Sequence, residues 1–128
     1  VDAQLPWQPF DPDAIGRHIA QGRTVFVDVT ADWCVTCLWN KRTVLNVGQV
    51  AETLAQDDIV LMLADWTRPD REISAYLETF GRYGIPFNAV YGPAFPNGEA
   101  LPELLTQASV LGLLEQANPT RAAAIAPQ

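Results

Sequence analysis

Metal-binding side chains are scarce in this 128-residue sequence, which contains two cysteines, one histidine and one methionine. A structural zinc site needs about four cysteine or histidine ligands, and only His18 is available beside Cys34 and Cys37. The scarcity excludes a zinc site built from this chain alone. We therefore expect no metal ligand set, and we assign His18 to packing at the edge of a helix.

Basic residues are also few. Eight Lys and Arg residues stand against fifteen Asp and Glu residues, which gives a formal net charge of −7. Proteins that bind nucleic acid neutralise phosphates with clustered Lys and Arg, whereas the basic residues here are scattered from Arg17 to Arg121. The composition excludes nucleic acid as a partner class. We interpret the acidity as a contribution to solubility in preference to an acidic docking face.

Long hydrophobic runs are absent as well. Crossing a bilayer takes roughly 18–20 consecutive apolar residues, and no stretch of this chain approaches that length. The N-terminus also lacks the basic flank and apolar core of a secretory signal. The sequence therefore predicts one soluble domain, long enough to bury most of its apolar surface on folding.

The two cysteines form a Cys-x-x-Cys pair, Cys34 and Cys37, directly after the apolar, β-branched segment 25–30. If a helix begins at Cys34, the two residues lie one turn apart on the same face, so the sulfurs can form a disulfide or separate as thiols. Unpaired N–H groups at a helix N-terminus favour the thiolate of Cys34. The pair therefore indicates thiol-disulfide exchange, with Cys34 as the nucleophile and Cys37 as the resolving thiol.

Hydrophobic periodicity and turn signals predict alternating helices and strands in the order αβαβαββα. We expect strands over residues 24–30, 59–64, 87–90 and 101–106, with an Asn97-Gly98 turn between the last two. Helices should run from Asp11 to Gly22, then over about 34–45, 49–55 and 109–117, with another after Asp70. This order predicts a mixed sheet with helices on both faces.

Three segments of the chain resemble a known family. Residues 25–37 are similar to the active-site strand and loop of thioredoxin-fold proteins, and ADWCVTC at 31–37 most resembles the C-terminal periplasmic domain of DsbD-type membrane disulfide reductases. ADWT at 64–67 and RYGIPFNAVYGP at 82–93 resemble the ScsB branch, which is linked to suppression of copper sensitivity. The resemblance implies a thioredoxin-like α/β fold over residues 23–117, preceded by an N-terminal extension and first helix at 1–22. Residues 118–128 contain two prolines and four alanines, a composition that predicts a flexible tail.

The resemblance also implies roles for residues around the cysteines. Asp28 is an isolated acid in an apolar strand, and in the family an acid at this position accepts the proton of the resolving thiol, here Cys37. The alternative is a buried acid satisfied by backbone or water. The Ile85-Pro86 bond should be cis, in a loop that offers backbone groups to an extended substrate segment. For Trp33 we favour contact with that partner over packing in the core.

Two further residues flank the pair and could modulate it. Asp32 either caps the following helix or acts through its charge. Lys41 stands four residues after Cys37, where many DsbD-like domains carry a glutamate, so Asp28 is the only acid that we assign to a proton relay. Lys41 would stabilise a thiolate if it faced the sulfurs, but we favour a solvated helix residue.

These observations and the resemblance together predict a protein-disulfide reductase. It would relay electrons from a membrane-embedded dithiol, in the same or a partner protein, to periplasmic thioredoxin-like proteins, as a periplasmic domain tethered to the inner membrane. Because the electrons travel in the Cys34–Cys37 couple, we expect no cofactor.

Two alternatives to this function stay open. One is a Cu(I)-binding module for copper tolerance that uses both thiolates, although such a module needs neither Asp28 nor a Gly84-Ile85-Pro86 loop. The other is a periplasmic disulfide oxidase or isomerase, since the direction of exchange depends on the reduction potential.

Overall fold

A five-stranded mixed sheet forms the centre of the computed structural model, which describes residues 5–121. The strands, in the spatial order β1-β3-β2-β4-β5, are β1 (Gln8–Pro9), β2 (Thr24–Thr30), β3 (Ile59–Asp65), β4 (Phe87–Gly92) and β5 (Phe95–Ala100). β3 runs parallel to both β1 and β2, whereas β4 is antiparallel to β2 and β5. The mixed α/β fold predicted from the sequence is confirmed.

Short helices cover both faces of this sheet. They are α1 (Pro12–Ala20), α2 (Val35–Asn40), α3 (Gly48–Leu54), α4 (Arg71–Thr79) and α5 (Gln107–Ala117), and α2 continues directly into a π-helical segment (Lys41–Leu45). The predicted helices are confirmed at these positions, apart from the change from α to π geometry within 34–45. None of the helices in residues 5–121 is long and apolar enough to cross a membrane.

The central strand β2 is buried along its whole length and separates two hydrophobic cores. Alternate side chains of a strand point to opposite faces. One face of β2 packs with residues of α1 and α4, through Val25, Val27 and Val29. The other face carries Phe26, Asp28 and Thr30, and Phe26 packs with apolar residues of the π-helical segment, α3 and α5. We call this second side the α2 face of the sheet.

Local capping determines where two helices begin. The side chain of Asp70 accepts a hydrogen bond of 3.1 Å from the backbone N–H of Ile73 at the start of α4. Thr106 and Ser109 form a reciprocal capping box at the start of α5. Asp11 stands at the N-cap position of α1 without a side-chain cap, so Pro12 in the first turn provides the main local signal there.

The predicted strand over 101–106 is wrong. The last strand is β5, and it follows a turn at Pro93 and Ala94 whose Ala94 N–H donates to the carbonyl of Ala117 at 3.0 Å. The Asn97-Gly98 pair lies inside β5, opposite the irregular register between Val90 and Gly92 in β4. The apolar residues of 101–106 that suggested a strand, Leu101 and Leu105, instead enter the core from a loop.

Both ends of the described chain are attached to the sheet. β1, which has only two residues and was not predicted, pairs with β3. The buried Asn118 side chain donates to the carbonyl of Gly22 at 3.1 Å, and Arg121 pairs with Asp58 at 2.5 Å. The first four residues of the predicted loose tail are therefore anchored, while 122–128 and residues 1–4 of the predicted extension lie outside the described residues.

Replacing Gly98 should destabilise the hairpin of β4 and β5. Gly98 has a φ of +86°, and a Cβ there would lie 2.7 Å from the ring of Tyr91 and 3.0 Å from that of Phe80. We expect Gly98→Ala to lower the free energy of unfolding by about 1–3 kcal/mol in urea denaturation. Gly112→Ala, in open space on α5, should be neutral or stabilising by up to about 1 kcal/mol. Equal stability of the two variants would contradict this account.

Candidate active site

Cys34 and Cys37 are joined by a disulfide at the start of α2, with their Cα atoms 5.3 Å apart. Cys34 is the N-cap residue, and its Sγ accepts a hydrogen bond of 3.1 Å from the backbone N–H of Cys37. Cys34 is 8% exposed and Cys37 is 3% exposed. On reduction, the N–H directed at Cys34 would stabilise a thiolate on the more accessible sulfur.

The loop after β3 holds the residues that precede Cys34. Thr67 donates two hydrogen bonds to Oδ1 of Asp65, from its N–H at 2.9 Å and from its hydroxyl at 2.5 Å. Its hydroxyl oxygen accepts from the N–H of Asp32 at 3.0 Å, and its carbonyl accepts from Nε1 of Trp33 at 3.1 Å. The two bonds from Thr67 lower the pKa of Asp65. Thr67 thus connects the end of β3 to the cysteine loop.

Asp32 does not cap α2. The helix begins at Val35, so the N-cap position falls on Cys34 and Asp32 lies two residues too early. The capping alternative raised from the sequence is therefore wrong. The backbone N–H of Asp32 donates to Thr67, and Asp32 is one of the residues that line the polar cavity described below.

A loop containing a cis peptide bond between Ile85 and Pro86 lies against the cysteines. The cis bond predicted from the resemblance is confirmed, and Ile85 packs on the small cluster formed by Cys34, Cys37 and Ala31. Next to this contact lies an apolar groove of about 600 Å³, whose aromatic walls are Trp33, Trp66 and Tyr83. Trp33 is 60% exposed, which leaves its ring available to a partner.

Asp28 is buried on the α2 face of the sheet, 3% exposed. Its Oδ1 accepts a hydrogen bond of 2.9 Å from the side-chain amide of Asn88, which stands opposite it in β4, while its Oδ2 has no partner among the described residues. Burial raises the pKa of Asp28 to about 6, although the charge of Lys41 and the Asn88 bond act in the opposite direction. The carboxyl group therefore gains or loses its proton close to neutral pH.

Lys41, for which we favoured a solvated helix position from the sequence, is half-buried in the π-helical segment. Its side chain lines a polar cavity of about 430 Å³ together with those of Thr30, Asp32 and Asp65. Its charge lowers the pKa of Asp28 and, as a smaller contribution, that of Asp65. The charge of Lys41 thus favours the ionised form of Asp28.

Several site residues escaped the sequence analysis. Asn88 is the partner of Asp28, and a polar residue in the apolar segment 87–90 was a usable signal. Thr67 and Tyr83 lie in the two segments that resemble the ScsB branch, but their contacts depend on where the loops after β3 and α4 pack. The sequence therefore suggests the reacting groups more readily than the residues that hold them.

Metal ligation has a limited basis in the described part of the chain. Residues 5–121 contain no group of three or more His, Cys, Asp or Glu side chains arranged to hold an ion. His18 lies half-buried in α1, and its Nδ1 is 3.2 Å from Nη1 of Arg23. Burial lowers the pKa of the imidazole, and the charge of Arg23 lowers it further.

Sequence comparison identifies relatives of the chain. The model of the family described as "Thioredoxin-like" matches residues 7–93. The chain is 36% identical over 74 residues to the thiol:disulfide interchange protein DsbD of Ralstonia nicotianae, covering 58% of this chain and 12% of that protein. It is 30% identical over 103 residues to DsbD of Citrobacter koseri, covering 76% of this chain and 18% of the relative. The chain therefore spans a small part of these relatives' length.

Structural comparison points to the same fold. The reduced C-terminal domain of Neisseria meningitidis DsbD matches with a TM-score of 0.65 at 22% identity, over 83% of this chain and 92% of that domain. A thioredoxin from Thermus thermophilus matches with a TM-score of 0.65 at 24% identity, over 89% of this chain and 87% of that one. At this level of identity the matches establish the fold.

The buried Asp28 carboxyl should make stability depend on pH. Its pKa rises from 3.8 in the unfolded chain to about 6 in the folded one, so the folded state binds this proton more tightly. The resulting stabilisation is complete below about pH 4 and is lost as the pH rises through about 6. We expect Asp28→Asn to be more stable than the parent at pH 8 by up to about 3 kcal/mol, and nearly equal at pH 4.

Urea denaturation of both oxidised proteins at the two pH values tests this expectation. Asp57→Asn is the matched control, because it makes the same substitution at an exposed carboxyl group. The same stability difference for Asp28→Asn at pH 4 and pH 8 would show that Asp28 is not the titrating group.

Proposed function

The chain belongs to the thioredoxin-like family, and on that premise we propose that it is a thiol-disulfide oxidoreductase that works through Cys34 and Cys37. The observation that carries the proposal is the disulfide at the start of α2, where the N–H of Cys37 points at the sulfur of Cys34. The buried Asp28 carboxyl, six residues before Cys34 in β2, supports it. No cofactor is needed, since the two sulfurs carry the electrons.

The reaction in the reducing direction has two steps. The Cys34 thiolate attacks a disulfide of the partner, the partner's S–S bond breaks, and one of its sulfurs leaves as a thiolate while the other forms a mixed disulfide with Cys34. Cys37 then gives its proton to Asp28 and attacks the Cys34 sulfur, which releases the second partner sulfur as a thiolate. The partner gains two electrons, and the Cys34–Cys37 disulfide seen in the structure forms.

The partner would approach over the apolar groove beside the cysteines. In the proposed complex, an extended segment around the partner's cysteine lies across Trp33 and along the backbone of the Ile85-Pro86 loop. The exposure of the Trp33 ring and the contact of Ile85 with the cysteine cluster support this position. The bond from Trp33 to Thr67 holds the indole in place before the partner binds, which lowers the entropic cost of binding.

We assign the protein to the reductase direction by its similarity to DsbD. In this proposal a membrane-embedded dithiol, in the same or a partner protein, reduces the Cys34–Cys37 pair, which then reduces periplasmic thioredoxin-like proteins. Copper binding is the alternative function, because residues 64–67 and 82–93 resemble the ScsB branch. Both thiolates would then be Cu(I) ligands. The redox proposal is preferred because it uses Asp28 and the cis-proline loop, which copper binding does not require.

The two cysteines should differ in a trapping experiment. Reduced Cys37→Ala, mixed with a peptide that contains a disulfide, should accumulate the mixed disulfide because no resolving thiol remains. Cys34→Ala should form one at least about tenfold more slowly, since its remaining sulfur is more buried and lacks the directed N–H group. Non-reducing electrophoresis and mass spectrometry measure both products. Equal trapping by both variants, or trapping by Cys34→Ala alone, would contradict the assigned roles.

The reduction potential decides the direction of exchange. We expect equilibration with glutathione buffers to give a value near that of thioredoxin, about −270 mV, or lower. A value near −120 mV would assign the protein to the oxidases instead. Thiol alkylation followed by mass spectrometry measures the oxidised fraction at each glutathione ratio, and a Cys34→Ala/Cys37→Ala variant supplies the unreactive baseline.

A further inference from the structure

The loop between β3 and α4 borders both cavities beside the segment that precedes Cys34. Thr67 of this loop lines the aromatic groove and also the polar cavity. The segment before Cys34 contributes a residue to each of them as well, Trp33 to the groove and Asp32 to the polar cavity. The way in which the two loops meet therefore shapes the groove on one side of their contact and the cavity on the other.

A short turn at the end of β3 fixes the hydroxyl group of Thr67. Oδ1 of Asp65 accepts hydrogen bonds from the N–H of Thr67 at 2.9 Å and from its hydroxyl at 2.5 Å. A hydroxyl group has one hydrogen to donate, and a carboxylate binds it more strongly than a neutral acceptor would. The hydroxyl oxygen is then left as an acceptor, and the N–H of Asp32 donates to it at 3.0 Å. Asp65 thus orients the Thr67 hydroxyl towards the cysteine loop.

Two further hydrogen bonds extend the contact along the cysteine loop. The carbonyl of Thr67 accepts from Nε1 of Trp33 at 3.1 Å, and the N–H of Trp66 donates to the carbonyl of Thr30 at 2.7 Å. The two loops are therefore joined at three points. The ring of Trp33 is 60% exposed, so packing restrains it little. We assign the orientation of the ring to its bond with Thr67.

We propose that Asp65 and Thr67 are positioning residues for disulfide exchange, because their turn holds Trp33 and the segment before Cys34 in the arrangement that a partner binds. The inference rests on the proposed function, in which the partner's cysteine segment lies across Trp33. A loop that is ordered before binding loses less conformational entropy when the partner arrives. The N–H group directed at the Cys34 sulfur comes from Cys37. The turn should therefore govern the reaction with an extended partner and leave the intrinsic reactivity of Cys34 unchanged.

Two disulfides of different size separate these effects. A peptide that contains a disulfide can lie along the groove, whereas bis(2-hydroxyethyl) disulfide offers the same reacting bond without a peptide segment. Thr67→Val keeps the shape of the side chain and removes its hydroxyl group. In this reduced variant the second-order rate constant with the peptide should fall about three- to tenfold, the effect of one lost hydrogen bond. The rate constant with the small disulfide should stay at the parent value. Thiol alkylation followed by mass spectrometry measures both.

Conservative variants and a matched control accompany this substitution. Thr67→Ser keeps the hydroxyl group and should restore the parent rate with the peptide. Asp65→Asn keeps an acceptor at Oδ1 and should react at nearly the parent rate, whereas Asp65→Ala should slow the peptide reaction as Thr67→Val does. Thr79→Val is the matched control, because Thr79 is exposed and its hydroxyl donates to the carbonyl of Tyr76 within α4.

Hydrogen exchange followed by NMR gives a second readout, which does not depend on the reaction. The amide of Asp32 should exchange about three- to tenfold faster in Thr67→Val, because it loses its acceptor, and at the parent rate in Thr79→Val. An unchanged peptide rate in Thr67→Val, an equal fall with both disulfides, or an equal fall in Thr79→Val would overturn the inference, as would unchanged exchange of the Asp32 amide. A parent protein that reacts with neither disulfide would instead overturn the proposed function.

Discussion

Burial of one carboxyl group in the central strand is the constraint around which the site is arranged. β2 is covered on both faces and flanked by β3 and β4, so Asp28 is removed from bulk water. The cost of desolvation is offset in part by the Asn88 amide and by the charge of Lys41, and the balance leaves a pKa of about 6. An acid in this range can accept and release a proton near neutral pH without a large change in environment.

The cysteine pair depends on the same sheet through three loops. The segment before Cys34 continues from β2, the Thr67 loop continues from β3, and the Ile85-Pro86 loop leads into β4. Hydrogen bonds from Asp32 and Trp33 to Thr67 fix the first two loops to each other, and the packing of Ile85 adds the third. The bases of these three loops are held by the adjacent strands β3, β2 and β4, which places the loops around the sulfurs.

Two cavities of different character lie beside the loop that precedes Cys34. The aromatic groove by Trp33 and Tyr83 is apolar and open, and it suits recognition of a partner segment. The cavity by Lys41 and Asp65 is polar and is also lined by Thr30 at the end of β2. The apolar groove, which adjoins the contact of Ile85 with the cysteines, is therefore the better surface for the proposed partner.

Local patterns in the sequence determined β2, the Cys-x-x-Cys pair at a helix start and the isolated acid Asp28, because strand burial and helix capping depend on near neighbours in the chain. The family resemblance added the cis bond at Pro86. Tertiary structure decided what depends on distant contacts. The Asn97-Gly98 pair lies inside β5, because the hairpin turn falls earlier, where Ala94 is hydrogen-bonded to Ala117 at the end of α5. β1 has only two residues, too few to show the alternation of apolar and polar side chains that predicts a strand. The partner of Asp28 and the place of Lys41 in a cavity wall follow from strand register and helix packing, which no short segment of sequence contains.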